Sequence, residues 1–215
     1  MGRSVTQDGH LVRREPYDNG PFVRRTLRLL EAQGFAGAPR FVGVDDGGHE
    51  LVAFVSGEVF DSELLLSDAQ VASHGRLLRH AHDALAGADL AGGNEVVCHG
   101  DAGPHNVVFR GDEAVALIDW EEAAPGERLT DVADVAWCLL DERWEHGSPA
   151  VAAHRIAVFC QGYGWADISA VVDAVGALVQ GARDRHADLG LARSVEHFER
   201  LLCWLGEHDE RLRSG

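Results

Sequence analysis

With 215 residues and 46% hydrophobic content, the chain is long enough for one large unit or two smaller ones with an ample core. A formal net charge of −16 argues against a nucleic-acid partner and against binding to an anionic membrane surface, and is compatible with a cationic substrate. The four cysteines, Cys98, Cys138, Cys160 and Cys203, are dispersed with no CxxC or zinc spacing, and no apolar run approaches the roughly 18 residues of a membrane span, so a cytoplasmic protein with reduced thiols is expected. All nineteen basic residues are arginine.

In chain order, Ser4–Thr6 and His10–Arg14 read as a hairpin about an Asp8-Gly9 turn. Pro21–Gln33 has helical periodicity, with Val23, Leu27 and Leu30 on one face; Asn19 or Gly20 would cap it and Gly34 would end it. Arg40–Val44 and Glu50–Val55 form a second hairpin around Asp45–His49. Ser67-Asp68-Ala69-Gln70 is a capping-box pattern opening a helix whose buried stripe is Val71, Leu77, Leu78, Ala81 and Leu85. His80 and His82, two apart, do not share a helix face and suggest no metal site.

The centre of the chain, Glu95 to Asp131, concentrates the chemistry. Glu95–Cys98 is a short strand leading to His99-Gly100-Asp101, a Gly- and Pro-containing loop follows, and Val107–Phe109 and Ala114–Ile118 make a hairpin across an Arg110–Glu113 turn. If Phe109 faces Ala114, Asn106 faces Leu117; a shorter turn moves its partner to Ile118. Either register sets Asn106 beside Asp119, with Asp101 over the same end. Two carboxylates and an amide oxygen are hard ligands that suit Mg²⁺. Thr130 is placed as an N-cap with Asp131 in the first turn, Val132–Leu140 as a central helix, and Ala150–Cys160, Ile168–Leu189 and Ser194–Leu212 as three further helices.

The wording HGD-x4-N followed by I-D-W resembles the aminoglycoside phosphotransferase and choline kinase-like family, which shares the protein-kinase fold and phosphorylates small molecules. The resemblance implies an α+β, two-lobed fold: a small N-lobe of β-hairpins and an αC helix over residues 1–56, and a mostly helical C-lobe over 57–215. It implies transfer of the γ-phosphate of ATP or GTP, with Mg²⁺, to a hydroxyl of an aminoglycoside, amino sugar, amino alcohol or similar metabolite. Asp101 would be the base, Asn106 and Asp119 the metal ligands, and His99 and Asp131 structural; His105 is given no role. Val55 would lie at the hinge that meets the nucleotide base. Asp141, Glu142 and Glu145 would help form the acceptor pocket.

Departures from the family pattern are equally specific. No G-x-G-x-x-G occurs near the start, and no lysine exists to hold phosphates. Arg13 stands nearest the lysine's place, with Arg14 next, and the position of the αC glutamate falls near Val23 or Arg24, neither of which can pair with Arg13. These departures favour an alternative, a binding or regulatory protein that keeps the fold without turnover.

Overall fold

The computed structural model describes residues 5–60, 66–140 and 147–214. Strands β1 (Val5–Asp8) and β2 (Leu11–Arg14) form the first hairpin; β3 (Phe41–Val44) and β4 (Glu50–Ala53) form the second. The two join in one antiparallel sheet of order β1-β2-β4-β3. Helix α1 (Gly20–Ala32) buries Val23, Leu27 and Leu30 in the same core as Phe41 and Val52 of the sheet. Asn19 occupies its cap position, but its side chain does not cap the helix. The Asn19 amide instead donates to the carbonyls of Glu121 (2.8 Å) and Ala123 (3.0 Å), tying the entrance of α1 to a segment about a hundred residues away in sequence.

After β4 the chain crosses to the helical part through Gly57 and Glu58. Glu58 and Phe109 exchange both backbone hydrogen bonds, at 2.9 and 2.8 Å. A Cβ at residue 57 would run into the Val108 side chain and the Phe109 carbonyl, so the crossing requires glycine. Helix α2 (Asp68–Leu85) begins with the expected capping box: Ser67 Oγ accepts from Gln70 N at 3.2 Å, and Gln70 Oε1 accepts from Ser67 N at 2.8 Å. Its predicted stripe is buried throughout.

Against α2 pack β5 (Val96–Cys98), strand β7 (Glu113–Leu117) of the hairpin it forms with β6 (Val107–Arg110), and helix α4 (Pro149–Tyr163), while α3 (Arg128–Leu139) packs on β5 and α4. Two features depart from the sequence reading. First, Ala124–Gly126 forms a strand, β8, antiparallel to β5. Second, α3 starts at Arg128 rather than after Thr130, because Glu95 Oε2 accepts the Arg128 N–H (3.1 Å) directly after β8 ends. Asp131 remains in the first turn of the helix, as the sequence reading had it. The chain continues with α5 (Ile168–Asp188), α6 (Ala192–Glu207) and α7 (Asp209–Arg213); the last predicted stretch is divided in two at His208. Among the described residues no helix is long and apolar enough to cross a membrane.

Helices α2 and α4 touch backbone to backbone at Gly75 and Gly162, where an added Cβ would strike the Phe159 carbonyl and the Ala72 carbonyl respectively. Gly162→Ala should thus cost about 2–4 kcal/mol of stability through overpacking. Gly176→Ala, in α5 with open space around it, should instead gain about 0.5–1 kcal/mol. Chemical denaturation of the two variants checks the contrast.

Candidate active site

The loop after β5 hangs from one carboxylate. Asp131, fully buried on α3, accepts from His99 N (2.6 Å) and Gly100 N (3.0 Å), and His82 Nε2 of α2 lies 2.9 Å from the oxygen that His99 uses. His82 Nδ1 meets the Tyr163 hydroxyl of α4 at 2.7 Å. Burial alone would raise the Asp131 carboxyl; the His82 bond and charge, with the Gly100 N–H, outweigh it and hold the group below the usual carboxylate range. His99 is structural as expected: its Nε2–H donates to the Ile118 carbonyl (2.9 Å), its ring leans on Trp120, and burial pushes it toward the neutral form. Gly100, at φ +84°, passes so close to Glu122 that a Cβ would overlap the Glu122 carbonyl.

Asp101 is then delivered to the surface and fixed from two sides. A single 3-10 turn, Pro104–Asn106, carries both partners. His105 Nε2 lies 3.1 Å from Asp101 Oδ1, and the Asn106 amide donates to both the Asp101 carbonyl and its Oδ2, each at 2.9 Å. The His105 hydrogen bond is the largest influence on Asp101; against partial burial it holds the carboxyl below its ordinary range, and so ionised. His105 was the residue for which the sequence offered no role.

The β6–β7 hairpin realises both registers in succession. Phe109 pairs with Ala114, then an irregularity between Val108 and Phe109 shifts Val107 onto Leu117. Asn106 O consequently receives the Ile118 N–H at 2.8 Å, and Asp119 follows at the strand end. Asp119 has φ 61° and ψ 58°, the left-handed conformation, and is the one non-glycine residue with positive φ among the described residues. The structure thus brings Asp101, Asn106 and Asp119 to one end of the hairpin, with the two carboxylates half exposed. Among the described residues no three His, Cys, Asp or Glu side chains gather as a metal site. With only two carboxylates and an amide, this constellation matches what Mg²⁺ requires when substrate phosphates complete its shell.

The two candidate arginines lie on opposite faces of β2. Arg13 is on the outer face of β2, with Nε 2.6 Å from Asp45 Oδ2 and Nη2 2.9 Å from His49 Nδ1. Successive residues of a strand face opposite ways, so it is Arg14 that turns inward: its side chain is 12% exposed and its Nη1 lies 3.3 Å from Asp119 Oδ1. Opposite Arg14, on β4, stands Glu50, 3% exposed and 3.0 Å from Arg24 Nη1 of α1. Burial raises the Glu50 carboxyl, while Arg24 and Arg14 act against the rise. Val55 is half-buried in the crossing segment between β4 and the Glu58–Phe109 bridge. Asp141, Glu142 and Glu145 lie outside the described residues.

Comparison with known proteins decides the family. The model of the phosphotransferase enzyme family, APH, matches residues 61–171, which contain this whole loop and hairpin. The chain belongs to the phosphotransferase enzyme family. The trifolitoxin immunity protein of Rhizobium leguminosarum bv. trifolii is 36% identical to this phosphotransferase over 184 residues, covering 75% of this chain and 70% of that protein. Solved structures of similar fold include the GDP complex of aminoglycoside 2'-phosphotransferase-IIIa, with TM-score 0.62, 13% identity, and coverage of 96% of this chain and 90% of that one. They also include ADP-bound aminoglycoside phosphotransferase APH(2'')-Ib, with TM-score 0.60, 14% identity and 92% of each chain. A third is macrolide 2'-phosphotransferase MphH from Brachybacterium faecium, with TM-score 0.57, 15% identity, and 91% and 85% coverage. The α+β fold expected from the motif is the fold of these neighbours.

One further acid belongs to the loop of this phosphotransferase. Asp134, one turn along α3 from Asp131, accepts the Ala102 N–H at 3.0 Å. Burial, then the charges of Asp101 and Asp131, push its carboxyl up to about 7. An acid with a raised folded-state value binds a proton where the unfolded chain has lost it, so stability falls as pH rises from about 4 to about 7. Asp134→Asn keeps an oxygen for Ala102 N and removes the charge. Its melting temperature should exceed wild type by a few degrees at pH 8, about 1–2 kcal/mol, and by clearly less at pH 5.5. Equal shifts at both pH values in calorimetric scans would refute the raised Asp134 value.

Proposed function

We propose that this phosphotransferase transfers the γ-phosphate of a nucleotide to a hydroxyl of a small molecule, with Asp101 as the base. The observation that carries the reading is the ionised, half-exposed Asp101, held by His105 and Asn106 beside Asp119. An ionised carboxylate whose oxygens are already oriented accepts the acceptor hydroxyl's proton and aims its oxygen; positioning of this kind is most of what phosphoryl transfer needs. Asn106 spends both amide hydrogens on Asp101, which directs its Oδ1 to another partner. Asn106 and Asp119 would hold Mg²⁺, which when bound neutralises charge on the phosphates. Arg14, inward beside Asp119, is the residue of this chain best placed to contact phosphate oxygens; Arg13, engaged with Asp45 and His49, is not.

In this reading the sheet and α1, residues 1–56, form one lobe and residues 57–215 the other. The nucleotide would enter between them, with backbone groups near Val55 against its base. GDP- and ADP-bound relatives of the same fold support a purine nucleotide, ATP or GTP. Relatives that act on aminoglycosides or macrolides, and one named for immunity to a toxin, support a hydroxyl-bearing antimicrobial as acceptor. The net charge of −16 favours a cationic one.

Isothermal calorimetry with ATP and GTP, with and without Mg²⁺, tests the proposal. Binding should require Mg²⁺ and be lost in Asp119→Asn. Arg14→Ala should weaken it while Arg13→Ala leaves it unchanged. Asp101→Asn should keep nucleotide affinity yet lower kcat on a confirmed acceptor by about 10²–10⁴-fold. If folded wild-type protein binds neither nucleotide at millimolar concentration, the non-catalytic reading of the fold replaces this one.

A further inference from the structure

A carboxylate as buried as Glu50 needs counter-charge, and two arginines supply it from different elements. Arg24 reaches it from α1, Nη1 to Oε1 at 3.0 Å, and Arg14 is its cross-strand neighbour on β2. Arg14 in turn reaches Asp119 at 3.3 Å. Four side chains therefore alternate in sign from the helix to the strand end: Arg24, Glu50, Arg14, Asp119. The site is built to admit the acid. A Cβ on residue 20 would lie 2.7 Å from Glu50 Oε1, so the glycine that opens α1 leaves the carboxylate its place, and a larger residue there would push the carboxylate aside. Arg14 Nε is buried with no hydrogen-bond partner, so the direction of its guanidinium depends on the charges at either end of it.

We infer that Glu50 is a positioning residue for nucleotide phosphate binding: neutralised on its far side by Arg24, it holds the Arg14 guanidinium at the mouth of the site next to Asp119. The inference rests on the nucleotide reading of Asp119 and Arg14 given above. The pair of Glu50 with Arg24 is the helix-to-strand ion pair that the sequence pattern lacks, with the charges exchanged: the acid comes from a strand and the cation from the helix. When Asp119 turns to a cation, Arg14 loses its partner at that end; the Glu50 charge keeps the guanidinium from leaving, with its N–H edge available to phosphate. Loss of Glu50 would let Arg14 collapse onto Asp119, and loss of Arg24 would let Glu50 draw Arg14 inward. Either change acts only through Arg14.

A double-mutant cycle tests this. Mg²⁺·ATP affinity is measured by calorimetry (Mg²⁺·GTP if wild type prefers it) for wild type, Glu50→Gln, Arg24→Gln, Arg14→Ala and the two doubles containing Arg14→Ala, with the melting temperature of each. Glu50→Gln and Arg24→Gln should each weaken binding about tenfold, and neither should weaken it further in the Arg14→Ala background. The same loss in that background overturns the inference, as does a folded Glu50→Gln that melts lower but binds like wild type. If Glu50→Gln does not fold, the Arg24→Gln cycle, made from the more exposed end, decides by the same criterion. Wild type that binds no nucleotide overturns the nucleotide reading and this inference together; wild type that binds with an additive or flat cycle overturns only the role of Glu50.

Discussion

The site depends on one buried charge. Asp131 carries its carboxylate into the interior on α3 and is compensated by the backbone N–H groups of His99 and Gly100 and by His82. Through His82 and Tyr163 the same charge reaches α2 and α4, so three helices and the loop converge on it. Removing one partner of such a pair leaves an unneutralised interior ion, a loss of about 3–5 kcal/mol. The loop therefore cannot drift without breaking the packing of the helices behind it. That coupling is what gives Asp101, itself half exposed, a fixed direction.

Local signals made much of this readable from the chain. Ser67 and Gln70 cap α2 as their spacing implied, and the hairpin arithmetic put Asn106 beside Asp119, because a short turn fixes which residues face each other. Facts that depend on distant partners were not readable. Ala124–Gly126 contains proline, and only its pairing with β5, nearly thirty residues earlier, makes it a strand. Helix α3 begins early because Glu95, equally distant, takes the Arg128 N–H. Whether Arg13 or Arg14 points inward is a matter of strand parity, which the composition of Leu11–Arg14 does not settle. Glu50 could be seen as Arg14's neighbour only once the sheet order placed β4 beside β2. His105 was the missed residue with a local cue: one 3-10 turn and a spacing of four put it within reach of Asp101.

A chain that uses arginine for every basic position also fixes its electrostatics. Arg13, Arg14 and Arg24 each meet a carboxylate, and a guanidinium does not lose its proton at any pH the folded chain would meet. Changes in charge near the site with pH thus come from acids and histidines, notably Asp134, while the arginines act as constant sources of field.

The left-handed backbone at Asp119 narrows what can stand there. Most side chains are strained at a φ of 61°, and the residues that tolerate it at low cost are glycine, asparagine and aspartate. Of these three, aspartate alone is an anion that can pair with Arg14. Shape and charge, which usually restrict a position independently, here leave one occupant between them. A drifting sequence could abandon that aspartate for asparagine or glycine without disturbing the turn, so at this position the fold can outlast the chemistry.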